Sequence, residues 1–564
     1  MDFILSILYS LISDPLLLLF SISGALFLYV LLLATYRLTL HPLSPYPGPL
    51  LACLTDAYLA YYAYKGNRHL AIHRMHALYG EYVRIGPNTV SINNAEALKT
   101  IYGHRGNSKV KKADFYKAFP ATPKAVNVHS AIDKGVHSRK RRVLSHAFGD
   151  QAIKSLEKYI LMNIRTGISL LAKKSGEGEK GVIIDMEGKN SAVKTEKEDG
   201  WGENWNMANW CNWLVFDIMG DLVFGKPFDL LESPQNRFAV ELVGNAAHRH
   251  LICGTFLTLH KLELDKLLFP KISAERGKYM AYSKSQAVQR TKMGLDNDRK
   301  DFFHHLLTAR DPETGLGFTM DELWGESNLL IIAGSDTTST CMAATFFYLS
   351  RNPIVLEKVT KEIREMFNDE EEIVSGPKLN SCGYLRACID ESLRMTPPVA
   401  GVLPREVVAA EGLTISTPTS SHTFPKGAVV GVNHYTLMHN AQYYPDPHIF
   451  APERWLANEK QNPYKEYVEK AHAAFCPFSV GPRGCIGKGL AYVELSLTLA
   501  RVLFSFDISR VDSEEGRLGE GAFGETGKEW GRHRKEEFQI QDRFASCKEG
   551  PILRFRRRGE GVVA

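Results

Sequence analysis

Along the first forty residues the hydrophobic pattern has no polar face. Leu16 to Ala34 reads LLLLFSISGALFLYVLLLA, and about twenty such residues in succession span a bilayer core as a helix. The pattern changes at HPLSPYPGPLLA, whose four prolines predict a stiff, extended hinge. Beyond it, helical periodicity dominates. Met320 to Ser350 reads as one long helix, apolar on nearly every face around NLLIIAG and therefore central. Asn352 to Phe367 carries a charged face and ends at the acidic turn NDEEE, which predicts a surface helix. Strand patterns are short and few: Tyr82 to Ile85, Val90 to Ile92, Leu413 to Ile415, Ala428 to Val432 and Ile552 to Phe555. Lys173 to Asn204 and Asp512 to Glu537 are rich in Gly, Lys and Glu and read as solvated insertions. No internal repeat occurs. The expected architecture is mainly α with a small β portion: an anchor at 1–36 (span 16–34), a hinge at 37–50 and one body at 51–564.

Composition narrows the function classes. The chain has 564 residues, 44% hydrophobic and 23% charged, which is a globular profile with one apolar appendage. A net charge of +5 calls for no nucleic-acid partner. Nine cysteines without a C-x-x-C pair argue against zinc sites and a disulfide scaffold, and fit a reducing compartment. Asp2 and Asp14 precede the apolar span and the first positive charge, Arg37, follows it. The positive-inside rule then puts the body in the cytosol, held by a single pass.

The chemistry concentrates in FSVGPRGCIGKG, Phe478 to Gly489. A structural cysteine is a small hydrophobe that packs in a helix or strand. Cys485 instead sits in a glycine- and proline-shaped loop just before a helical pattern, where backbone N–H groups favour a thiolate. Inside the long apolar helix lies AGSDTT, Ala333 to Thr338. An acid in so hydrophobic a run is costly without a role or partner. Thr337 could also bond back to the carbonyl four residues earlier, as helical threonines commonly do. Glu391 and Arg394 in ESLR share one helical face, and FAPERW offers Arg454 as a third member. HSRKRR places His137 and Arg141 one turn apart, and Arg405 follows in VLPREV.

The loop matches F-x-x-G-x-R-x-C-x-G position for position, and with the other motifs the chain resembles the cytochrome P-450 superfamily of haem-thiolate monooxygenases. The resemblance implies that fold, with haem b as cofactor and Cys485 as axial ligand of its iron. Phe478 and Arg483 would belong to the haem-binding loop. Arg483, His137, Arg141 and Arg405 would meet the propionates, His137 standing where many relatives have Trp. It further implies that Gly334 leaves room for oxygen, Thr337 hydrogen-bonds the reacting oxygen and Asp336 passes protons. Glu391, Arg394 and Arg454 would be structural. Electrons would come from an NADPH-dependent reductase, since the chain shows no dinucleotide fingerprint of its own. Arg139, Lys140, Arg142 and Lys488 are expected to point outward as its docking cations. Hinge, DIMGDLVFG and YYPDPHIFAPERW look most like fungal microsomal members, which implies an endoplasmic-reticulum membrane enzyme of secondary metabolism acting on a lipophilic small molecule. Lys112 to Val128, Glu241 to Leu268 and Val399 to Val402 would line an apolar pocket. Two rivals remain: a haem-thiolate isomerase or dehydratase acting on peroxides, and a haem-binding protein without turnover.

Overall fold

A computed structural model describes residues 15–172, 201–294, 300–418, 420–457, 462–522 and 524–559. The apolar N-terminal run forms helix α1, Pro15–Thr35, in which no residue is buried. The helical stretch Pro15–Leu40 contains an 18-residue window of mean hydropathy 2.6 and is long and apolar enough to cross a membrane. The proline-rich hinge behind it is docked on the body. Arg37 Nη1 donates to the Leu54 carbonyl at 2.5 Å, and Arg84 Nη1 donates back to the Arg37 carbonyl at 2.7 Å. Tyr46 stacks on Phe424, and Leu43 is fully buried. The hinge is thus a wedge against a sheet, because its prolines alternate with side chains that have apolar surface to cover.

The longer helices of the body are α2 (Arg68–Tyr79), α3 (Lys134–Ser145), α4 (Asp150–Leu171), α5 (Met207–Phe224), α6 (Phe238–Thr255), α7 (Pro270–Lys292), α8 (Met320–Arg351), α9 (Pro353–Met366) and α10 (Gly383–Met395), followed by the short α11 (His434–Met438) and by α12 (Lys488–Ser505). The expected central helix is α8. It starts at a capping box, Thr319 Oγ1 accepting from the Glu322 N–H while Glu322 accepts from the Thr319 N–H. It packs along α5 and is buried over most of its length. One core holds α4, α5, α8, α10 and α12 together.

Twelve short strands are described. β1 (Tyr82–Gly86), β2 (Thr89–Ile92), β3 (Val110–Lys112), β5 (Arg405–Val407) and β8 (Val429–Gly431) form one sheet in the order β1-β2-β8-β5-β3. β4 (Trp205–Asn206) and β9 (Phe506–Arg510) flank β12 (Ile552–Arg557), while β6 (Leu413–Ser416) pairs with β7 (Ser421–Phe424) and β10 (Ile540–Arg543) with β11 (Ala545–Lys548). The five expected strands are present. β3 and β5 escape hydrophobic periodicity because their inward residues include Lys112 and Arg405, both buried.

Of the first expected insertion, only residues 201–204 are described. The second is not a solvated loop. Glu525–Trp530 is helical, Arg532 donates to Asn67 and Gln539, and Glu537 is buried against Tyr435. Glu520, Arg532, Arg534 and Glu537 are charged groups with partners, which composition alone cannot distinguish from charges in water.

Candidate active site

Cys485 hangs from a loop that its glycines close. The Cys485 N–H donates to the Phe478 carbonyl at 2.9 Å and the Gly484 N–H to the Gly481 carbonyl at 2.9 Å. Gly481 has φ +71°, and a Cβ there would lie 2.2 Å from the Tyr102 carbonyl oxygen, so glycine is required twice over. Phe478 packs on Tyr492 with ring centres 5.2 Å apart. Cys485 is exposed on one side and enclosed by the loop and α12 on the others. That enclosure pushes its thiol pKa up, while the N–H groups of Gly487 and Lys488 and the charge of Arg141 pull it down. Arg141 also ties α3 to the loop, its Nη1 donating to the Gly484 carbonyl at 2.8 Å.

A group of cations lies beside the loop. Arg483 donates from Nη1 to the Ala131 carbonyl at 2.5 Å and from Nη2 to that of Ile132 at 3.3 Å. Arg405 donates to the Tyr116 hydroxyl at 3.1 Å and lies over the Tyr102 ring. Lys112 stands directly opposite Arg405 across the β3–β5 ladder, donates to the His129 carbonyl and lies 4.2 Å from the Tyr116 ring centre. Burial, then Arg405 and Arg483, hold its amine pKa well below the ordinary value. His137, buried on α3, is pulled down to about 3 by burial and by Arg483, Lys112, Arg141 and Arg405. Among the described residues no carboxylate is within ion-pair range of Lys112, Arg141, Arg405 or Arg483. Like charges directly opposite on neighbouring strands are destabilising, so such a cluster fits a ligand that brings its own two carboxylates, as haem b does. Lys112 was missed as a site residue. The signal was parity: Val110 and Lys112 share the buried face of β3 while Lys111 turns to Glu406.

Between Leu323 and Leu349, the residues of α8 that are not buried are Leu329, Ile332, Ala333, Gly334 and Thr337. Leu329, Ala333 and Thr337 follow one another at four-residue spacing and so form one stripe. The Thr337 hydroxyl donates to the Ala333 carbonyl at 2.6 Å. Asp336, one position round the helix, is buried, and burial raises its carboxyl pKa to about 6 against the lowering effect of Lys548 and Arg543. Lys548 is itself buried on β11 and donates to Ser339 Oγ at 2.6 Å and to Asn212 Oδ1. Nothing in the local sequence marks Lys548, because its partner helix lies two hundred residues away. A Cβ at Gly334 would meet Met219 of α5 at 2.6 Å from Cε, so the missing side chain also lets α5 and α8 approach. The room on the open stripe is left by the small Ala333.

Glu391 sits between both arginines. Its carboxylate accepts from Arg394 Nε (2.8 Å) and Nη2 (2.9 Å), Arg454 Nε (3.2 Å), the Ala451 N–H (3.0 Å) and Trp455 Nε1 (3.1 Å), all buried. Arg394 Nη1 also donates to the Met438 and Pro447 carbonyls.

The outward cation patch needs correction. Lys140 is buried and ion-paired with Glu322 at 2.9 Å and Glu326 at 3.3 Å of α8. Arg139 pairs with Glu322, and Arg142 with Asp311 and Glu313. The face of α3 that looked solvated is spent on the N-terminal part of α8 and the loop before it. Lys488 alone of the four is unpaired by any acid and exposed, its ammonium 5.8 Å from the Phe478 ring centre.

A cavity of about 970 Å³ opens between residues 116–136 and the α6–α7 region, lined among others by Tyr116, Pro120, Val126, Arg249, Asp265 and Arg276. It takes residues from two expected pocket segments and none from Val399 to Val402, and it carries more charge than an apolar pocket was expected to. Neither Thr337 nor Cys485 lines it. Phe115 and Phe119 are packed together with Phe544 and His129.

A family model described as Cytochrome P450 matches residues 42–523. Similar curated proteins include the cytochrome P450 monooxygenase apf7 of Gibberella fujikuroi, 38% identical over 536 residues that cover 94% of this chain and 96% of that protein. The cytochrome P450 monooxygenase AKT7 of Alternaria alternata is 35% identical over 94% of this chain and 95% of its own length. The cytochrome P450 monooxygenase atnE of Emericella nidulans is 36% identical over 95% and 96% respectively.

Proposed function

We infer the roles of individual residues from one premise: the chain belongs to the cytochrome P450 family. It is accordingly a haem-dependent monooxygenase, as its relatives are named. Bound haem supplies the redox and oxygen-activating chemistry. This chain's residues hold that group, exclude water and deliver protons. Cys485 would supply the thiolate to the haem iron, the N–H groups of Gly487 and Lys488 and the charge of Arg141 offsetting part of the rise that burial imposes on its thiol. Arg483, His137, Arg405 and Lys112 would hold the propionates, with Arg141 bracing the loop through Gly484. The observation that carries this reading is the cation cluster without an acid beside the closed cysteine loop.

Thr337 faces the open stripe with lone pairs to spare, since its one proton is on the Ala333 carbonyl. A hydroxyl so held accepts a hydrogen bond from a water or reacting group in the open stripe and orients it for protonation. Asp336, poised near pH 6, binds and releases protons at physiological pH. The intact Asp336–Thr337 pair favours oxygen insertion over isomerisation of a peroxide, which needs no proton delivery, and over a carrier without turnover.

Electrons come from a redox partner, and we place its docking at Lys488. By this reading the substrate is a lipophilic small molecule of secondary metabolism, which is supported by the fungal origin of the similar monooxygenases. The α1 helix anchors it, by this reading in the endoplasmic reticulum with the body cytosolic. The test is reconstitution with an NADPH-dependent reductase and a substrate that shifts the haem Soret band. Product per NADPH is expected to fall at least tenfold in Thr337→Ala with haem content unchanged. Equal yields would remove Thr337 from proton delivery.

A further inference from the structure

Three imidazoles and a carboxylate face one another where α2, the residue after α11 and the loop before Phe450 meet the segment ending at Glu537. His439 is buried, and its Nδ1 is 2.8 Å from the Tyr435 carbonyl. That bond fixes the proton on Nδ1 and leaves a lone pair on Nε2, which is buried with no hydrogen-bond partner. His448 Nδ1 is likewise buried without a hydrogen-bond partner, 3.9 Å from Glu537 Oε2. His73 Nδ1 is a third. Donor atoms of His439, His448 and Glu537 all lie within 4.8 Å of one another.

A buried polar nitrogen left without a partner is destabilising. The His439 and His448 nitrogens converge beside the Glu537 carboxylate, and these three acceptors call for a common partner. A water could serve one or two of them, but a water presents only two protons to three lone pairs. A divalent cation serves all of them. The geometry agrees: the His439 and His448 ring centres are 5.1 Å apart, and two imidazoles on one tetrahedral zinc sit about 5 Å apart. His73 is farther, 6.3 Å and 6.5 Å from the other rings, and would have to move to supply a fourth donor. The second shell is in place, with Tyr435 holding both the His439 ring through its carbonyl and Glu537 Oε1 through its hydroxyl. All three imidazoles are held neutral by burial, the state in which they ligate. The opposing charges are Arg394, neutralised by Glu391, and Arg534, which is 3.4 Å from Glu537 Oε2 but part-exposed and able to turn to solvent.

We propose that His439, His448 and Glu537, with His73 as fourth donor, form a zinc-class metal site. It would clasp the C-terminal segment to the same two loops that Arg394 holds through the Met438 and Pro447 carbonyls, one residue before each histidine. The cysteine spacing gave no warning of it, because the donors are histidines and a glutamate spread over more than 460 positions of the chain.

The test uses the full-length holoprotein, stripped with dipicolinic acid and titrated with Zn²⁺ against a chromogenic chelator. One zinc per haem is expected. His448→Ala and Glu537→Gln should each weaken zinc binding at least 100-fold while the reduced carbon monoxide spectrum stays unchanged. X-ray absorption at the zinc edge should show nitrogen and oxygen donors at about 2.0–2.1 Å and no sulfur. Three results each overturn the proposal: no zinc uptake by the wild type, sulfur in the zinc shell, or undiminished affinity in the double variant. The first two need no variant to fold.

Discussion

Asp336→Asn should make the protein more stable and less competent. The wild-type carboxyl is held at about 6 against an ordinary 3.8, burial being the first cause and Lys548 and Arg543 the restraining ones. The ionised form is therefore disfavoured in the folded state. Below pH 3.8 the acid is protonated folded and unfolded alike, and its ionisation contributes nothing. As pH rises toward 6 the unfolded chain ionises while the folded one resists, and stability is lost. Above about pH 7 the whole penalty is present, about 3 kcal/mol, and at pH 5 about half of it. Asparagine keeps the shape and does not titrate. The variant should exceed wild type by about 3 kcal/mol at pH 8 and by about 1.5 kcal/mol at pH 5, read from denaturant unfolding of the holoprotein followed by helical circular dichroism. Its product per NADPH should fall, because the proton carrier is gone. Lys548→Met, which removes the nearest restraining cation, should move the pH dependence of coupling upward. A stability difference that is flat between pH 5 and 8, or an asparagine variant less stable than wild type at pH 8, would refute the reasoning.

Glu391→Gln leaves two buried guanidinium groups uncompensated and should cost about 3–5 kcal/mol, measured as a lowered unfolding midpoint with haem loss. Lys140→Glu places a like charge against Glu322 and Glu326 and should lower the melting temperature, whereas Lys488→Glu should leave it alone and slow reduction by the reductase, more at low than at high salt. A stopped-flow rate unaffected by Lys488→Glu would leave that residue an ordinary surface cation. Deleting residues through Ala34 should move the protein from membrane to soluble fraction with haem incorporation retained, because no residue of α1 is buried and the first tie to the body is Arg37.

What was legible in the sequence is what is local. The membrane-length run, the length of α8, the Cys485 loop and the E-x-x-R spacing each occupy a few contiguous positions, and each stands in the structure where its pattern put it. What was not legible depends on partners far along the chain. Lys140 looked like a solvated helical cation, and only the arrival of α8 beside α3 reveals Glu322 and Glu326. Gly334 stands beside Ala333 among the open residues of α8 and also faces Met219 of α5, a neighbour that no local pattern announces. Lys548 is invisible for the same reason, being a buried lysine whose partners lie in other elements. The segment 512–537 misled by composition, since charged residues packed in pairs and charged residues in water have the same letters.

The central claim is that Cys485 binds haem iron as a thiolate. Its most direct measurement is the absorption spectrum of the dithionite-reduced, carbon monoxide-bound protein, wild type beside Cys485→Ser. The wild type should show the red-shifted Soret band that thiolate ligation produces, and the serine variant should lose that band even where haem is retained. A Cys485→Ser spectrum identical to that of the wild type would contradict the account.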